Sequence, residues 1–187
     1  MDEEIHHCHE IDSKPLSFFF QKGKAISGRK ILILGESLAK NDWLKSGQAF
    51  YGINGKIAPS GKRLNEELSL INLSLDDCSI SEVAKCYLGK NRKQLLSCGP
   101  LCGKHLIKQI NHFKIKLIIS LGVSTKDVLQ KIFNTDLPMG VVTKLSSQSK
   151  NYYFLPLYHP SPANPTGHKK NLEIIRNKKR TINSFLK

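Results

Sequence analysis

At 187 residues the chain suits one domain with one core, and no apolar run reaches the 18 residues that mark a membrane-spanning helix. Lysine and arginine total 29 against 15 acids, a formal charge of +14, which points to a polyanionic partner such as nucleic acid. The polar start MDEEIHHCHE does not read as a secretory leader. The five cysteines then suit a reducing intracellular compartment, cytoplasm or nucleoid, where thiols bind metal or lie buried.

In chain order, residues 1–14 read as irregular and PLSFFFQ (15–21) as a short apolar piece packed on the core. RKILILGES (29–37) is a buried strand ending in Gly-Glu-Ser. NDWLKSGQAFYGINGKIAPSG (41–61) is glycine-rich and aperiodic, hence a long loop. GKRLNEELSLI (61–71) has helical spacing, with Ser60 as its cap. ISEVAKCYL (80–88) is a second strand, followed by GKNRKQLLSCG (89–99) as a loop with a short helix. PLCGKHLIKQINHF (100–113) is an amphipathic helix with Pro100 near its start. KLIISLG (116–122) is a third buried strand, STKDVLQKIF (124–133) a helix capped by Ser124, and YYFLPLYH (152–159) a fourth strand. A basic helix over 169–186 ends the chain, and its RNKKR run (176–180) reads as a solvated face that attracts phosphates.

Strands that alternate with helices and are continuously apolar predict a parallel sheet covered on both faces. Ligands of such sheets bind outside the carboxyl ends of the strands. Those ends fall at Gly35-Glu36, Cys86-Tyr87, Gly122 and His159, so Glu36 and His159 are expected to meet there. The prolines of HPSPANP hold the loop after His159 in one shape. Phe50 and Tyr51, inside a basic surface, are suited to stacking on an unpaired base. A fixed histidine can stabilise a developing anion, and a carboxylate can orient a water or stabilise a sugar cation.

GES after the first strand, then GQAFYGINGK, EVAKCYLGKNR, a cysteine sixteen residues beyond Cys86, LIISLG and YHPSP follow one another in the order found in the uracil-DNA glycosylase superfamily. Over about Gly35 to Lys170 the chain resembles that family, in particular its iron–sulfur-containing branch. The resemblance implies a three-layer α/β/α sandwich around a short, mainly parallel sheet. It implies a monofunctional glycosylase that acts as a monomer on DNA holding uracil or another deaminated base. By position, Glu36 belongs to the motif that places the attacking water or the sugar, and Phe50 to the stacking position, with Tyr51 beside it. His159 matches the histidine that stabilises the leaving base. Pro160, Ser161, Pro162, Ala163 and Asn164 form the phosphate-gripping loop, and Lys169 lies just beyond it.

Three departures from the family pattern stand out. The first motif continues as GESLAKND rather than Gly-Glu-Ala-Pro-Gly, which makes Asp42 a substitute catalytic carboxylate. The base-reading asparagine, four residues before the cysteine, is Glu82 here, so either a backbone amide completes the reading or the base preference differs. The leucine that fills the hole left by the flipped base is replaced by Ala163 and Asn164, both small, which favours single-stranded DNA. Cys86 and Cys102 match two ligands of a [4Fe–4S] cluster, and Cys8, in the N-terminal segment 1–28, a third. The position three before Cys8 is Ile5, so the fourth ligand is left to His6, His7, His9 or Cys98; zinc, or no metal, are the alternatives. Cys78 matches nothing and reads as core. A non-catalytic DNA-binding protein on a degenerate glycosylase fold is the alternative to an enzyme.

Overall fold

The computed structural model describes residues 3–89, 91–147 and 150–186, so Lys90 of the GKNRK run lies outside the described residues. Its centre is a six-stranded sheet in the order β1-β3-β2-β4-β6-β5. The strands are β1 (Phe20–Gln21), β2 (Ile31–Ser37), β3 (Ser79–Ala84), β4 (Leu117–Leu121), β5 (Thr143–Ser147) and β6 (Lys150–Leu157). β3, β2, β4 and β6 run parallel, and β1 and β5 cap the two edges antiparallel.

Alternation along each strand divides the core into two layers, because successive side chains leave opposite faces of a sheet. Leu32, Leu34, Ile118 and Phe154 face one side and pack with α2 (Leu95–Leu101), α3 (Gly103–His112) and α4 (Val123–Phe133). Ile31, Ile33, Ile119, Leu155 and Leu157 face the other, against α1 (Pro59–Ser69) and α5 (Pro165–Leu186). This is the expected α/β/α sandwich. β2 lies between β3 and β4, with the helices that follow β2 and β3 on opposite faces, so the chain reverses direction across the sheet at β2. That reversal opens a crevice at the carboxyl ends of the strands.

Several boundaries differ from the reading of the sequence. α1 begins at Pro59 behind Ala58, so Ser60 lies inside the helix instead of capping it; proline suits the first helical position because its missing N–H has no helical partner there. α4 begins at Val123 behind Gly122, which takes φ +93°, so Ser124 is likewise internal. Pro100 sits in the last turn of α2, and the expected helix over 100–113 is broken at Cys102 into α2 and α3. β3 stops at Ala84, short of the expected 88. β5 has no apolar stripe to announce it: TKLSS is an edge strand paired on one side, antiparallel to β6. α5 starts at Pro165, earlier than the expected 169.

Candidate active site

A cavity of about 360 Å³ occupies the crevice. Its walls are the end of β2 and the turn after it (Gly35 to Lys40), Glu82 from β3, Leu121 from β4, His159 beyond β6, and Asp42, Ala49 and Phe50 from the long loop. Glu36, Asp42, Phe50, Glu82 and His159, spread over more than a hundred positions of sequence, thus line one space. Tyr51 does not join them. It forms a bridge with Ile57, and its hydroxyl donates to Asp76 Oδ1 at 2.6 Å. Burial and the Asp76 carboxylate push that phenol up to about 12.

Phe50 is buried and takes φ +63°, a left-handed conformation that costs a non-glycine residue about 1–3 kcal/mol. Its two backbone groups are held: its N–H donates to Asp42 Oδ2 at 3.2 Å, and its carbonyl accepts the Ala58 N–H at 2.7 Å. Burial raises the pKa of the half-buried Asp42 and the Phe50 N–H opposes the rise. The geometry gives Asp42 a task that the sequence did not suggest, the fixing of the aromatic ring, alongside its place on the cavity wall.

Glu82 reaches the cavity from the floor. β2 and β3 are in register at Gly35 and Glu82, and a Cβ at position 35 would lie 2.1 Å from Glu82 Oε2. Only glycine leaves room for the carboxyl group. Trp43, which sequence reasoning passed over, donates its indole N–H to Glu82 Oε1 at 2.8 Å. Burial pushes Glu82 up to about 8; Trp43 and Lys85 oppose this, while Asp42 and Glu36 add to it. Lys85 is fully buried beneath, donating to Ser81 Oγ and to the Glu82 carbonyl, and burial pulls it down to about 8. A lone buried lysine just beyond a strand carries no periodicity signal, which is why it escaped the sequence reading.

The loop after β6 leaves His159 exposed and close to β4: a Cβ placed on Gly122 would lie 3.5 Å from His159 Cβ. Pro160 is buried, while Pro162, Ala163 and Lys169 are exposed. Arg63 of α1 donates to the Ser161 carbonyl at 2.8 Å, and Ser161 Oγ accepts the Ala163 N–H at 3.3 Å. Asn164, expected as a DNA contact, caps α5: its Oδ1 accepts the Gly167 N–H at 2.9 Å, and Pro165 takes the first helical position. The early start of α5 thus uses the side chain.

Behind the cavity the N-terminal segment pairs with the turn after β3 through two bonds between Ile5 and Tyr87, of 2.9 and 2.8 Å. This occupies Ile5, where the family has a cysteine, and sets Cys8 beside Cys86. The ligand atoms of His6, Cys8, Cys86 and Cys98 all lie within 4.8 Å of one another. His6 Nδ1 is 3.8 Å from Cys98 Sγ, and its Nε2 is 2.9 Å from Glu4 Oε2, the arrangement in which a carboxylate orients a metal-binding imidazole. Cys86 Sγ accepts the His7 N–H at 3.3 Å, and a bond from the Cys102 thiol, with further bonds from Cys8, pulls Cys86 down to about 4. Cys102 accepts the Lys85 N–H at 3.4 Å. Cys102 is therefore the inner neighbour of Cys86, and His6 and Cys98 are the outer donors. Cys78 belongs to the core layer on the other face of the sheet.

The family described as Uracil DNA glycosylase superfamily has a model that matches residues 23–182. Three proteins named Type-4 uracil-DNA glycosylase are similar to the chain. That of Archaeoglobus fulgidus is 25% identical over 163 residues, 84% of this chain and 78% of its own. That of Saccharolobus solfataricus is 28% identical over 173 residues, 87% of this chain and 76% of its own. That of Sulfurisphaera tokodaii is 29% identical over 149 residues, 75% and 64% respectively.

Proposed function

The chain belongs to the uracil DNA glycosylase superfamily, and from this premise we propose that it frees uracil, or a related deaminated base, from DNA by hydrolysing the N-glycosidic bond in the cleft at the strand ends. It is a DNA-repair hydrolase. The observation that carries the assignment of the site is the meeting of Glu36, Phe50, Glu82 and His159, from four separate stretches, around one cavity.

The target nucleotide leaves the stack, at a cost of a few kcal/mol that is least in a mispair or a single strand. The Phe50 ring, held by Asp42, stacks on the base for roughly 1–3 kcal/mol. Glu82 reads the polar edge of the base, with Trp43 setting which oxygen accepts and which faces the cavity. As a protonated acid it both donates and accepts, as the amide of asparagine does. Glu36 orients water against the sugar and stabilises the charge that develops there, and His159 stabilises the negative charge on the departing base. Ser161, Pro162, Ala163 and Lys169 face the phosphates, with the buried Pro160 anchoring the loop behind them. With Ala163 small and Asn164 spent as a helix cap, that loop offers no large apolar wedge, which favours single-stranded substrate.

The His/Cys group fits a metal centre: soft, buried thiols on three separate chain segments, with a carboxylate behind the imidazole. Cys8, Cys86 and Cys102, with Cys98 or His6 as the fourth ligand, would hold a [4Fe–4S] cluster, which would tie the N-terminal segment to α2 and β3 as a structural staple. A single tetrahedral zinc ion is the second reading. It is favoured by the 4.8 Å spread of the His6, Cys8, Cys86 and Cys98 atoms, since zinc–sulfur bonds of about 2.3 Å place thiolates about 3.8 Å apart. Assays of iron, labile sulfide and zinc per chain, with an electron paramagnetic resonance spectrum, separate the two. Either centre suits a reducing compartment. Among the described residues no helix is long and apolar enough to cross a membrane.

Labelled oligonucleotides with one uracil, hypoxanthine or xanthine, single- and double-stranded, test the activity after alkaline cleavage of abasic sites. Cleavage at uracil that is lost in His159→Ala supports the reading. A folded, metal-replete protein that cleaves none of them overturns it in favour of DNA binding without catalysis.

A further inference from the structure

α1 and α5 carry a buried polar network that the chemistry above does not use. Its centre is Glu67, which is fully buried, as is Asn171. Asn171 Oδ1 accepts the Tyr158 N–H at 2.9 Å, and Asn171 Nδ2 donates to the Tyr158 carbonyl at 2.8 Å. One side chain thus satisfies both backbone groups of the residue that immediately precedes His159. β6 has ended at Leu157, whose carbonyl accepts the Gly122 N–H at 2.8 Å. The asparagine amide therefore takes over, for one more residue, the task of a neighbouring strand. The Tyr158 carbonyl belongs to the peptide plane that bears the His159 nitrogen, so clamping it limits where the imidazole can go.

Glu67 sets the direction of that amide. Its Oε1 accepts the second Asn171 Nδ2 hydrogen at 3.0 Å and lies 2.8 Å from His168 Nδ1. Two acceptors on the Nδ2 side leave only Oδ1 to face the Tyr158 N–H. Burial raises the Glu67 pKa, and its Oε2 has no partner among the described residues, so this carboxyl group is kept at an energetic cost. One helical turn earlier on α1, Arg63 holds the Ser161 carbonyl at 2.8 Å. The His159–Pro160 segment is gripped on one flank by Asn171 of α5 and on the other by Arg63 of α1.

We propose that Asn171, oriented by Glu67, is a positioning residue for His159: it sets the reach of the imidazole into the cleft without touching the substrate. The proposal rests on the glycosylase reading of His159 given above. A misplacement of about 1 Å at a reacting group costs on the order of 100-fold in rate. Asn171→Ala is thus expected to lower the single-turnover rate on a uracil oligonucleotide by roughly 10- to 100-fold, with the affinity for that oligonucleotide changed by less than about 3-fold.

The test is a double-mutant cycle of Asn171→Ala with His159→Ala, read by single-turnover rate, oligonucleotide affinity and thermal unfolding. If Asn171 acts through His159, its replacement in the His159→Ala background lowers the remaining rate by less than about 2-fold. Equal losses in both backgrounds, or no loss in the wild-type background, overturn the proposal while leaving the glycosylase reading intact. A His159→Ala protein with the wild-type rate overturns the glycosylase reading of His159, and the proposal with it. Glu67→Gln is the milder partner should Asn171→Ala fail to fold. It keeps an acceptor at Oε1, and a smaller loss that is also absent in the His159→Ala background supports the proposal, whereas a loss of equal size in both overturns it.

Discussion

Replacing Glu82 with glutamine tests the central electrostatic feature of the cleft. The carboxyl group is buried, shares the cavity with Asp42 and Glu36, and titrates at about 8 against an ordinary 4.5. Over that window the native state keeps a proton that the unfolded chain releases. Stability therefore falls as pH rises, by about 1.4 kcal/mol per unit for each proton so held, a loss of a few kcal/mol between pH 5.5 and 7.5. Lys85 is pulled down to about 8, so it stays charged over most of this range and adds little to the slope. Glutamine mimics the protonated acid: its carbonyl can accept from Trp43, and its amide donates where the O–H would. The expected result, from urea titrations of both proteins at pH 5.5, 6.5 and 7.5, is that Glu82→Gln gains on the wild type steadily as pH rises. It should also keep cleavage at uracil within about 10-fold, whereas Glu82→Ala, which leaves the Trp43 N–H without its acceptor, should not. Parallel stability curves for wild type and Glu82→Gln would refute the reasoning, because they would show that Glu82 is ionised in the fold and paired with Lys85.

His159→Ala should lower the single-turnover rate about 100- to 1000-fold, with DNA affinity little changed, the signature of a group that acts on developing charge. Phe50→Leu keeps an apolar side chain on the cavity wall but loses the stacking face. Its affinity for an oligonucleotide with a flipped-out base, followed by fluorescence of a reporter base, should drop roughly 5- to 150-fold, with stability changed by less than about 1.5 kcal/mol. Cys86→Ser should abolish most of the bound iron or zinc and lower the melting temperature, whereas Cys78→Ser, in the opposite core layer, should leave metal content unchanged as measured by elemental analysis of purified protein.

The order of elements and the position of the cleft were legible in the chain itself. Continuous apolar runs such as ILIL and LIIS make buried parallel strands wherever helices separate them, and parallel strands place their loops, and so Glu36 and His159, at one end of the sheet. The proline-rich loop likewise declared its rigidity through the covalent ring of proline. Other features depended on residues far apart in sequence and so left no local pattern. The direction of Tyr51, away from the base and toward Asp76, followed from a bridge to Ile57. The diversion of Asn164 into a helix cap followed from where α5 starts. The donors near Cys86 were decided by the pairing of Ile5 with Tyr87 and by the packing of α2, which set His6, Cys8 and Cys98 with Cys86 in a group no more than 4.8 Å across. The tie of Trp43 to Glu82 and the grip of Asn171 on Tyr158 join chain segments 39 and 13 residues apart. Sequence determines which groups the chain owns and how each stretch prefers to fold. The proton on Glu82 and the aim of His159 depend on burial and on hydrogen bonds between distant segments, which exist only once the layers have packed.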